Sequence, residues 1–385
     1  MKIIVALAAI VMACAMLVLA SLGCYDKIAD SLNNASQDST KEHQQVDYRG
    51  IVFAPEFKTD SQEFIEAFEL FVTEALVPTG INLIVFDMHW SNYHFTSIPE
   101  LFSLEEKVSR RLGKEDAARI SDICRRNGIH VMVGMNFLTH QDSGQLLKAF
   151  PQLQWPGNDK LWNPLDEKVN TIAFKMAGEL IDAFNPEGFH VGMDEGHGFD
   201  VNKLPGAEKY TSAELFALEI RKYHKFLVEE RGVEMLMWAD MLEGRYSDAP
   251  VGDAISMIPK DIILLSWDYV CDWRYPWLGE IIEKVIPMCP YANEWPRKFA
   301  DEGFKVMVCP WKNPRAASAL AKTTEKMQAN KLAGILYTTW SPNVVHDLKA
   351  LLLNERVERE LDPTLVGVAE SIKSTIGLFK SAAVN

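Results

Sequence analysis

The segment 188–199 has the sequence Gly188-Phe189-His190-Val191-Gly192-Met193-Asp194-Glu195-Gly196-His197-Gly198-Phe199. It begins as a short apolar strand and ends in two adjacent acids, which are followed by glycines. A strand that ends in two carboxyl groups places them where a buried sheet meets solvent. There, one carboxyl group can stay protonated while its neighbour is charged, as acid–base catalysis requires. An isolated pair of acids is more often a solvated strand end, so the interpretation depends on the rest of the chain.

Strand and helix patterns alternate on both sides of this segment. Eight mostly apolar runs are predicted to be strands: 51–55, 82–90, 130–135, the segment just quoted, 234–240, 262–269, 305–311 and 332–340. Apolar residues at helical spacing predict helices over 62–76, 114–126, 166–184, 212–230, 291–302 and 316–330, with a helical C-terminal region. The fold class is therefore α/β, and eight units predict a closed (β/α)8 TIM barrel. An open doubly wound sheet is the alternative, although no glycine-rich phosphate loop follows the first strand.

Composition narrows the possible partners. The chain has 385 residues, of which 48% are hydrophobic and 24% charged, as in a globular domain. Its net charge of −14 argues against nucleic acid or an anionic membrane surface as a partner. A neutral sugar is compatible with that charge. The cysteines show no C-x-x-C spacing and the histidines no metalloprotease spacing, so no metal and no cofactor are expected.

The N-terminus has the pattern of an export signal. Lys2 precedes an apolar run over 3–22, and Gly23-Cys24 follows. The end of this run resembles a bacterial lipobox, which predicts lipidation of Cys24 and a membrane-anchored, exported protein. Plain secretion and an uncleaved anchor helix are the alternatives. The predicted segments are a signal peptide over 1–23, a polar tether over 24–47 and a single barrel domain over 48–385.

Polar and aromatic residues recur where the predicted strands end, which is where a barrel of this class has its mouth. They are Asp87, His89, Trp90, His140, Asp194, Glu195, Trp238, Asp240, Trp267, Asp268, Tyr269, Trp311 and Trp340. A single tryptophan is usually a core residue, but five of the ten tryptophans close or nearly close a strand. Aromatic walls with a few carboxylates suit a pyranose, whose apolar face lies on rings while its hydroxyls bond to the acids.

The run from Phe189 to Glu195 resembles the fourth-strand signature His-x-Gly-Gly-Asp-Glu of family 20 glycoside hydrolases, the β-N-acetylhexosaminidases, with Met193 in place of the second glycine. Further segments similar to that family are Arg49-Gly50, Thr139-His140-Gln141, Trp162-Asn163-Pro164, Trp238-Ala239-Asp240 and Trp340. The similarity covers about 49–341.

The resemblance implies an enzyme that removes terminal β-linked N-acetylhexosamine from a carbohydrate substrate. Glu195 would be the general acid, and Asp194 would orient the substrate's 2-acetamido group, whose carbonyl oxygen is the nucleophile. This substrate-assisted retention explains why two adjacent acids suffice. Resemblance and position at the mouth together give the expected substrate contacts: Arg49, His140, Trp238, Asp240, Trp267, Trp311 and Trp340.

The sequence also departs from the family pattern at three further places. Ala54-Pro55 stands where an aspartate is usual, Pro310-Trp311-Lys312 where a tyrosine is usual, and Pro342 where an acid is usual. Two alternatives therefore stay open. One is a glycosidase with the ordinary two-carboxylate mechanism, in which Asp240 or Asp87 partners Glu195. The other is a non-catalytic barrel that binds surface glycans.

Overall fold

The computed structural model describes residues 48–56, 61–101, 111–141, 146–270 and 293–379. The predicted signal peptide, the lipidation site at Cys24 and the whole predicted tether over 24–47 lie outside these ranges. Within the described ranges, no helix has both the length and the apolar character needed to cross a bilayer. Cys124 and Cys309 are buried free thiols.

Eight parallel strands close into a barrel, which confirms the (β/α)8 prediction and excludes the open sheet. The barrel strands are β1 (Tyr48–Phe53), β2 (Leu83–Asp87), β3 (His130–Phe137), β6 (Gly188–Gly192), β7 (Glu234–Trp238), β8 (Ile263–Trp267), β9 (Lys305–Cys309) and β10 (Leu332–Thr338). The ring closes because β1 pairs in parallel with both β2 and β10. An antiparallel hairpin of β4 (Gln154–Trp155) and β5 (Asn158–Trp162), which the sequence patterns do not predict, follows β3.

Helices follow most of the strands, and most of these helices pack on the outside of the barrel. They are α1 (Ser61–Leu70), α2 (Lys114–Arg126), α3 (Leu146–Ala149), α4 (Glu167–Phe184), α5 (Ser212–His224), α6 (Trp295–Asp301), α7 (Pro314–Thr323), α8 (Val344–Leu353) and α9 (Pro363–Thr375). π-Helical turns extend α1 over Phe71–Leu76, which a short turn Val77–Thr79 follows, and α5 over Lys225–Glu230. Helix α5 begins where Thr211 and Glu214 form a reciprocal capping box, which satisfies otherwise unpaired amides.

Short 3₁₀ turns lie in the connections. They are Pro151–Leu153, Val201–Lys203, Asp240–Glu243, Gly252–Ser256, Thr324–Lys326, Ala329–Lys331 and Ile376–Phe379.

The barrel interior is a packed apolar core. Inward-facing side chains from seven of the eight strands fill it, among them Val52, Leu83, Val85, Met132, Leu236, Ile263, Leu265, Met307 and Leu336. A second apolar layer lies between the strands and the helices. All five residues of β6 and all seven of β10 are buried, as expected for strands covered on both faces.

Several strands end earlier than their apolar runs predict. β7, β8, β9 and β10 end two residues before the predicted limits of 240, 269, 311 and 340, and β2 ends three residues before 90. The aromatic and acidic residues at these limits therefore lie on loops at the mouth. β3 extends two residues beyond its predicted end and includes Asn136.

Candidate active site

A cavity of about 390 Å³ opens at the carboxyl ends of the strands. Its lining residues are Val52, Asp87, Met88, His89, Met135, Asn136, His140, Gln141, Leu146, His190, Asp194, Glu195, Trp238, Trp267, Tyr269 and Trp340. Both predicted catalytic acids are among them. Of the predicted substrate contacts, His140, Trp238, Trp267 and Trp340 also line the cavity.

The end of β6 turns sharply to present the two acids. Gly192, Met193 and Glu195 have φ of 72°, 68° and 48°, which is the left-handed region. The side chain of Asn136 fixes this turn: its Oδ1 accepts a hydrogen bond from the Met193 amide at 3.2 Å, and its Nδ2 donates to Asp194 Oδ1 at 2.8 Å. A Cβ atom at position 192 would lie 2.2 Å from Asn136 Oδ1, so only glycine fits there.

His140 lies between the two carboxylates. Its Nε2 is 3.4 Å from Asp194 Oδ2 and 3.5 Å from Glu195 Oε2. Burial alone would raise the pKa of Asp194, but the hydrogen bond from His140, the charge of that ring and the hydrogen bond from Asn136 together hold this pKa below its ordinary value. The Asp194 side chain is 17% exposed and that of Glu195 is 45% exposed. Asp194 is therefore the inner, ionised acid and Glu195 the outer one.

Burial shifts the pKa values of three other cavity groups toward their neutral forms. Burial, together with the nearby Asp194 charge, raises the pKa of Asp87 to about 7. Burial lowers the pKa of both His89 and His190 to about 4. The Nε2 atom of His190 is buried and has no hydrogen-bond partner among the described residues. A histidine inside a strand is expected to have both ring nitrogens hydrogen-bonded in the core, and His190 does not meet that expectation.

Aromatic rings form the wall of the cavity away from the acids. The Trp238 and Trp340 rings lie 6.0 Å apart, and Tyr269 stacks on Trp267 at 4.8 Å. Trp340 Nε1 donates to the hydroxyl of Tyr269 at 3.1 Å. Trp340 lines the cavity and is 42% exposed, a large value for an indole. This wall could bind the apolar face of a sugar ring.

Three predicted substrate contacts lie elsewhere. Arg49 lies near the amino-terminal end of β1, at the opposite end of the barrel, where its Nε donates to the Gly80 carbonyl at 2.7 Å. Trp311 packs behind the wall, with its ring 5.3 Å from that of Tyr269. Asp240 has no exposed surface. The expectation that these three side chains contact substrate is therefore corrected by their positions.

Asp240 instead lies beneath Glu195. Its Oδ2 accepts hydrogen bonds from the Glu195 amide at 2.9 Å and from the Tyr246 hydroxyl at 2.8 Å. Burial and the Asp194 charge raise the pKa of Asp240 to about 6, against the effect of these hydrogen bonds and of Arg245.

The expected catalytic residues and substrate contacts did not include Asn136, Tyr246 or Tyr269. Asn136 had a detectable signal, because asparagine is unusual inside an apolar strand. Tyr269 stands near the end of a predicted strand, among the residues noted at the mouth. Tyr246 had no such signal, since it lies in a loop six residues after Asp240. Among the described residues, no group of three or more histidine, cysteine or acidic side chains is arranged to hold a metal ion.

Comparisons with known proteins find similarity at the level of structure. No protein-family model matches the sequence. No curated protein matches it either.

Solved structures do match. An exo β-N-acetylglucosaminidase of glycoside hydrolase family 20 from Vibrio harveyi, in complex with N-acetylglucosamine, aligns with a TM-score of 0.58 at 14% identity over 86% of this chain. A chitobiase from Flavobacterium johnsoniae aligns with a TM-score of 0.58 at 16% identity, also over 86%. This chain covers 58% and 51% of those two proteins. Dispersin B is covered completely, with a TM-score of 0.50 at 14% identity.

These similarities concern the fold. The barrel of this chain has the same fold as the barrels of family 20 β-N-acetylglucosaminidases and β-N-acetylhexosaminidases of known structure.

Proposed function

We propose that the chain is a divergent family 20 glycoside hydrolase that removes terminal β-linked N-acetylhexosamine, GlcNAc or GalNAc, with retention of configuration. One observation carries the proposal: Asp194 and Glu195 line a single aromatic-walled cavity, within 3.4 and 3.5 Å of the same His140 nitrogen. The names of the structural neighbours, which are β-N-acetylhexosaminidases, support it.

In the first step, the carbonyl oxygen of the substrate's acetamido group attacks the anomeric carbon. The bond from that carbon to the glycosidic oxygen breaks, and Glu195 gives its proton to the departing oxygen. Asp194 holds the acetamido N–H and stabilises the positive charge of the oxazolinium ion that forms. The depressed pKa of Asp194 suits this role, because the group must be charged at neutral pH.

In the second step, water attacks the anomeric carbon from the face that the leaving group vacated. Glu195, now a carboxylate, accepts the proton of that water, and the acetamido group re-forms as its oxygen leaves. The greater exposure of Glu195 suits an acid that meets both the leaving group and water. The proton balance closes because Glu195 ends the cycle protonated.

The ordinary two-carboxylate mechanism has weaker support. Asp240 is fully buried and its Oδ2 is already hydrogen-bonded to Glu195 and Tyr246, so it cannot reach an anomeric carbon. Asp87 lines the cavity, but a pKa of about 7 leaves roughly half of it protonated at neutral pH, which suits a nucleophile less well than the ionised Asp194 carboxylate.

The test is hydrolysis of chitobiose and of aryl β-glycosides of GlcNAc, GalNAc and glucose by the purified domain. We expect cleavage of an N-acetylhexosaminide and not of the glucoside, which lacks the acetamido nucleophile. Glu195→Gln should reduce chitobiose hydrolysis by about 10²–10⁴-fold, whereas the exposed control Glu208→Gln should match the parent. A thiazoline mimic of the oxazolinium should inhibit. Equal cleavage of the glucoside would favour the two-carboxylate mechanism, and glycan binding without any hydrolysis would favour a binding protein.

We also propose export and lipid anchoring through Cys24. Metabolic labelling with a fatty acid should label the parent and not a Cys24→Ser variant. Equal labelling of the two proteins would contradict the proposal.

A further inference from the structure

Glu195 has a backbone conformation that its residue type disfavours. Its φ is 48°, in the left-handed region where a Cβ atom crowds the following carbonyl. Such a conformation persists only where surrounding contacts impose it. The contacts that impose it here also determine where the Glu195 carboxyl group points.

Those contacts come from the loop after β7. The Glu195 amide donates to Asp240 Oδ2 at 2.9 Å, and the next amide, of Gly196, lies 3.2 Å from the sulfur of Met241. The Glu195 carbonyl accepts from the His197 amide at 2.7 Å. Both backbone polar groups of Glu195 are thus paired, and the partner outside its own segment is the carboxylate of Asp240.

Tyr246 completes this arrangement. Its hydroxyl donates to the same Asp240 oxygen at 2.8 Å, so one oxygen accepts both bonds. Its ring lies edge-on to His197, with centroids 4.8 Å apart. Tyr246 therefore contacts the carboxylate that holds Glu195 and also the residue two positions beyond Glu195. Hydrogen bonds to a buried carboxylate are short and directional, which suits them to fixing a peptide group.

We propose that Asp240 and Tyr246 are positioning residues for the general acid, an inference that rests on the proposed function. They hold the strained peptide at Glu195 so that its carboxyl group stays within hydrogen-bond reach of the glycosidic oxygen. Neither side chain touches substrate. Proton transfer requires reach of about 3 Å, and a displacement of about 1 Å can reduce a rate by about a hundredfold.

The variants separate positioning from packing. Tyr246→Phe removes one hydroxyl and keeps the ring on His197. Asp240→Asn keeps an oxygen that can accept both hydrogen bonds, whereas Asp240→Ala keeps none. Tyr337→Phe is the matched control, because the buried Tyr337 hydroxyl bonds to Thr375 at 2.7 Å on the helix side of the barrel and outside the cavity.

The measurement is kcat/KM on two N-acetylglucosaminides. Chitobiose has a poor leaving group that needs protonation, whereas a 2,4-dinitrophenyl glycoside has one that leaves without it. Tyr246→Phe should lose about tenfold and Asp240→Ala about a hundredfold on chitobiose, with less than about threefold loss on the dinitrophenyl substrate. Asp240→Asn should recover much of the loss of Asp240→Ala. Tyr337→Phe should match the parent on both substrates.

The failures are distinguishable. An equal loss of kcat/KM on both substrates would mean that Asp240 and Tyr246 are only structural residues, and it would overturn the inference. Unchanged chitobiose kinetics in Tyr246→Phe would also overturn it. A parent protein that cleaves neither glycoside overturns the proposed function itself, and the inference with it. If Asp240→Ala does not fold, the comparison of Tyr246→Phe with Tyr337→Phe still decides the matter.

Discussion

The two ends of the barrel use left-handed backbone differently. At the amino-terminal end, the turns from helix to strand use residues that accept this conformation: Gly80, Gly128, Asn185, Gly232 and Gly303. At the mouth, Gly192 and Gly198 adopt it, and so do residues other than glycine and asparagine: Leu138, His140, Met193, Glu195 and Trp340. Three of the latter line the cavity. The comparison indicates that strain is stored where side chains must converge and is avoided where the chain only changes direction.

The largest expected effect is at Glu195. Glu195→Gly removes the acid and the strain, whereas Glu195→Gln removes the acid alone. Both should lose about 10²–10⁴-fold in chitobiose hydrolysis. In urea unfolding, Glu195→Gly should be more stable than Glu195→Gln by about 1 kcal/mol, because a Cβ at left-handed φ costs about 1–2 kcal/mol. If the two variants unfold at the same urea concentration, the mouth is not strained at this residue.

The next effect concerns pH and the buried carboxyl group of Asp87. The pKa of Asp87 is about 7 in the folded protein, against an ordinary value of 3.8. At a pH between these two values, Asp87 is mostly protonated in the folded protein and mostly ionised in the unfolded chain. Stability should therefore fall as pH rises from 4 to 7, by up to about 4 kcal/mol from this group. Asp87→Asn should flatten this part of the stability profile, and exposed Asp159→Asn should not. An unchanged slope in Asp87→Asn would show that Asp87 ionises normally in the folded protein.

Much of the amino-terminal end could be predicted from sequence. The bounds of α2 match their prediction over 114–126, because a local apolar period and a following Asn127-Gly128 are enough to mark a helix and its end. The position of Asp194 and Glu195 at the mouth could also be predicted from sequence, because the carboxyl ends of all the parallel strands meet at one end of such a barrel.

The mouth itself could not be predicted in detail. The turn after β6 depends on Asn136, which is 57 residues away from Met193 in sequence. Likewise, the family resemblance predicted Arg49 as a substrate contact but could not predict where its side chain points. The backbone carbonyls of Gly80 and Phe379, which are distant from Arg49 in sequence, accept its hydrogen bonds and determine that direction. Contacts of this range leave no local pattern.

A smaller effect is expected from a glycine of the amino-terminal end. Gly303 has φ of 97° and open space around an added Cβ, so Gly303→Ala has a conformational cost without a clash. We expect a loss of about 1–2 kcal/mol of unfolding free energy, measured by urea titration, with kcat and KM unchanged. A change in kcat would mean that this end of the barrel is coupled to the site, and the contrast between the two ends would weaken.

The smallest effect is expected at Asn185, the exposed residue that ends α4 with φ of 46°. Asn185→Gly should stabilise the protein by about 0.5 kcal/mol, because glycine adopts the left-handed region without a Cβ penalty. Asn185→Ala should destabilise it by about 1 kcal/mol. The backbone carbonyl that accepts from Arg125 is kept in both variants, so the difference reports the backbone alone. Equal stability of the glycine and alanine variants would mean that this turn relaxes to another conformation. The amino-terminal end would then accommodate disfavoured residues by changing its backbone conformation. The mouth cannot do so, because its side chains must converge on one cavity.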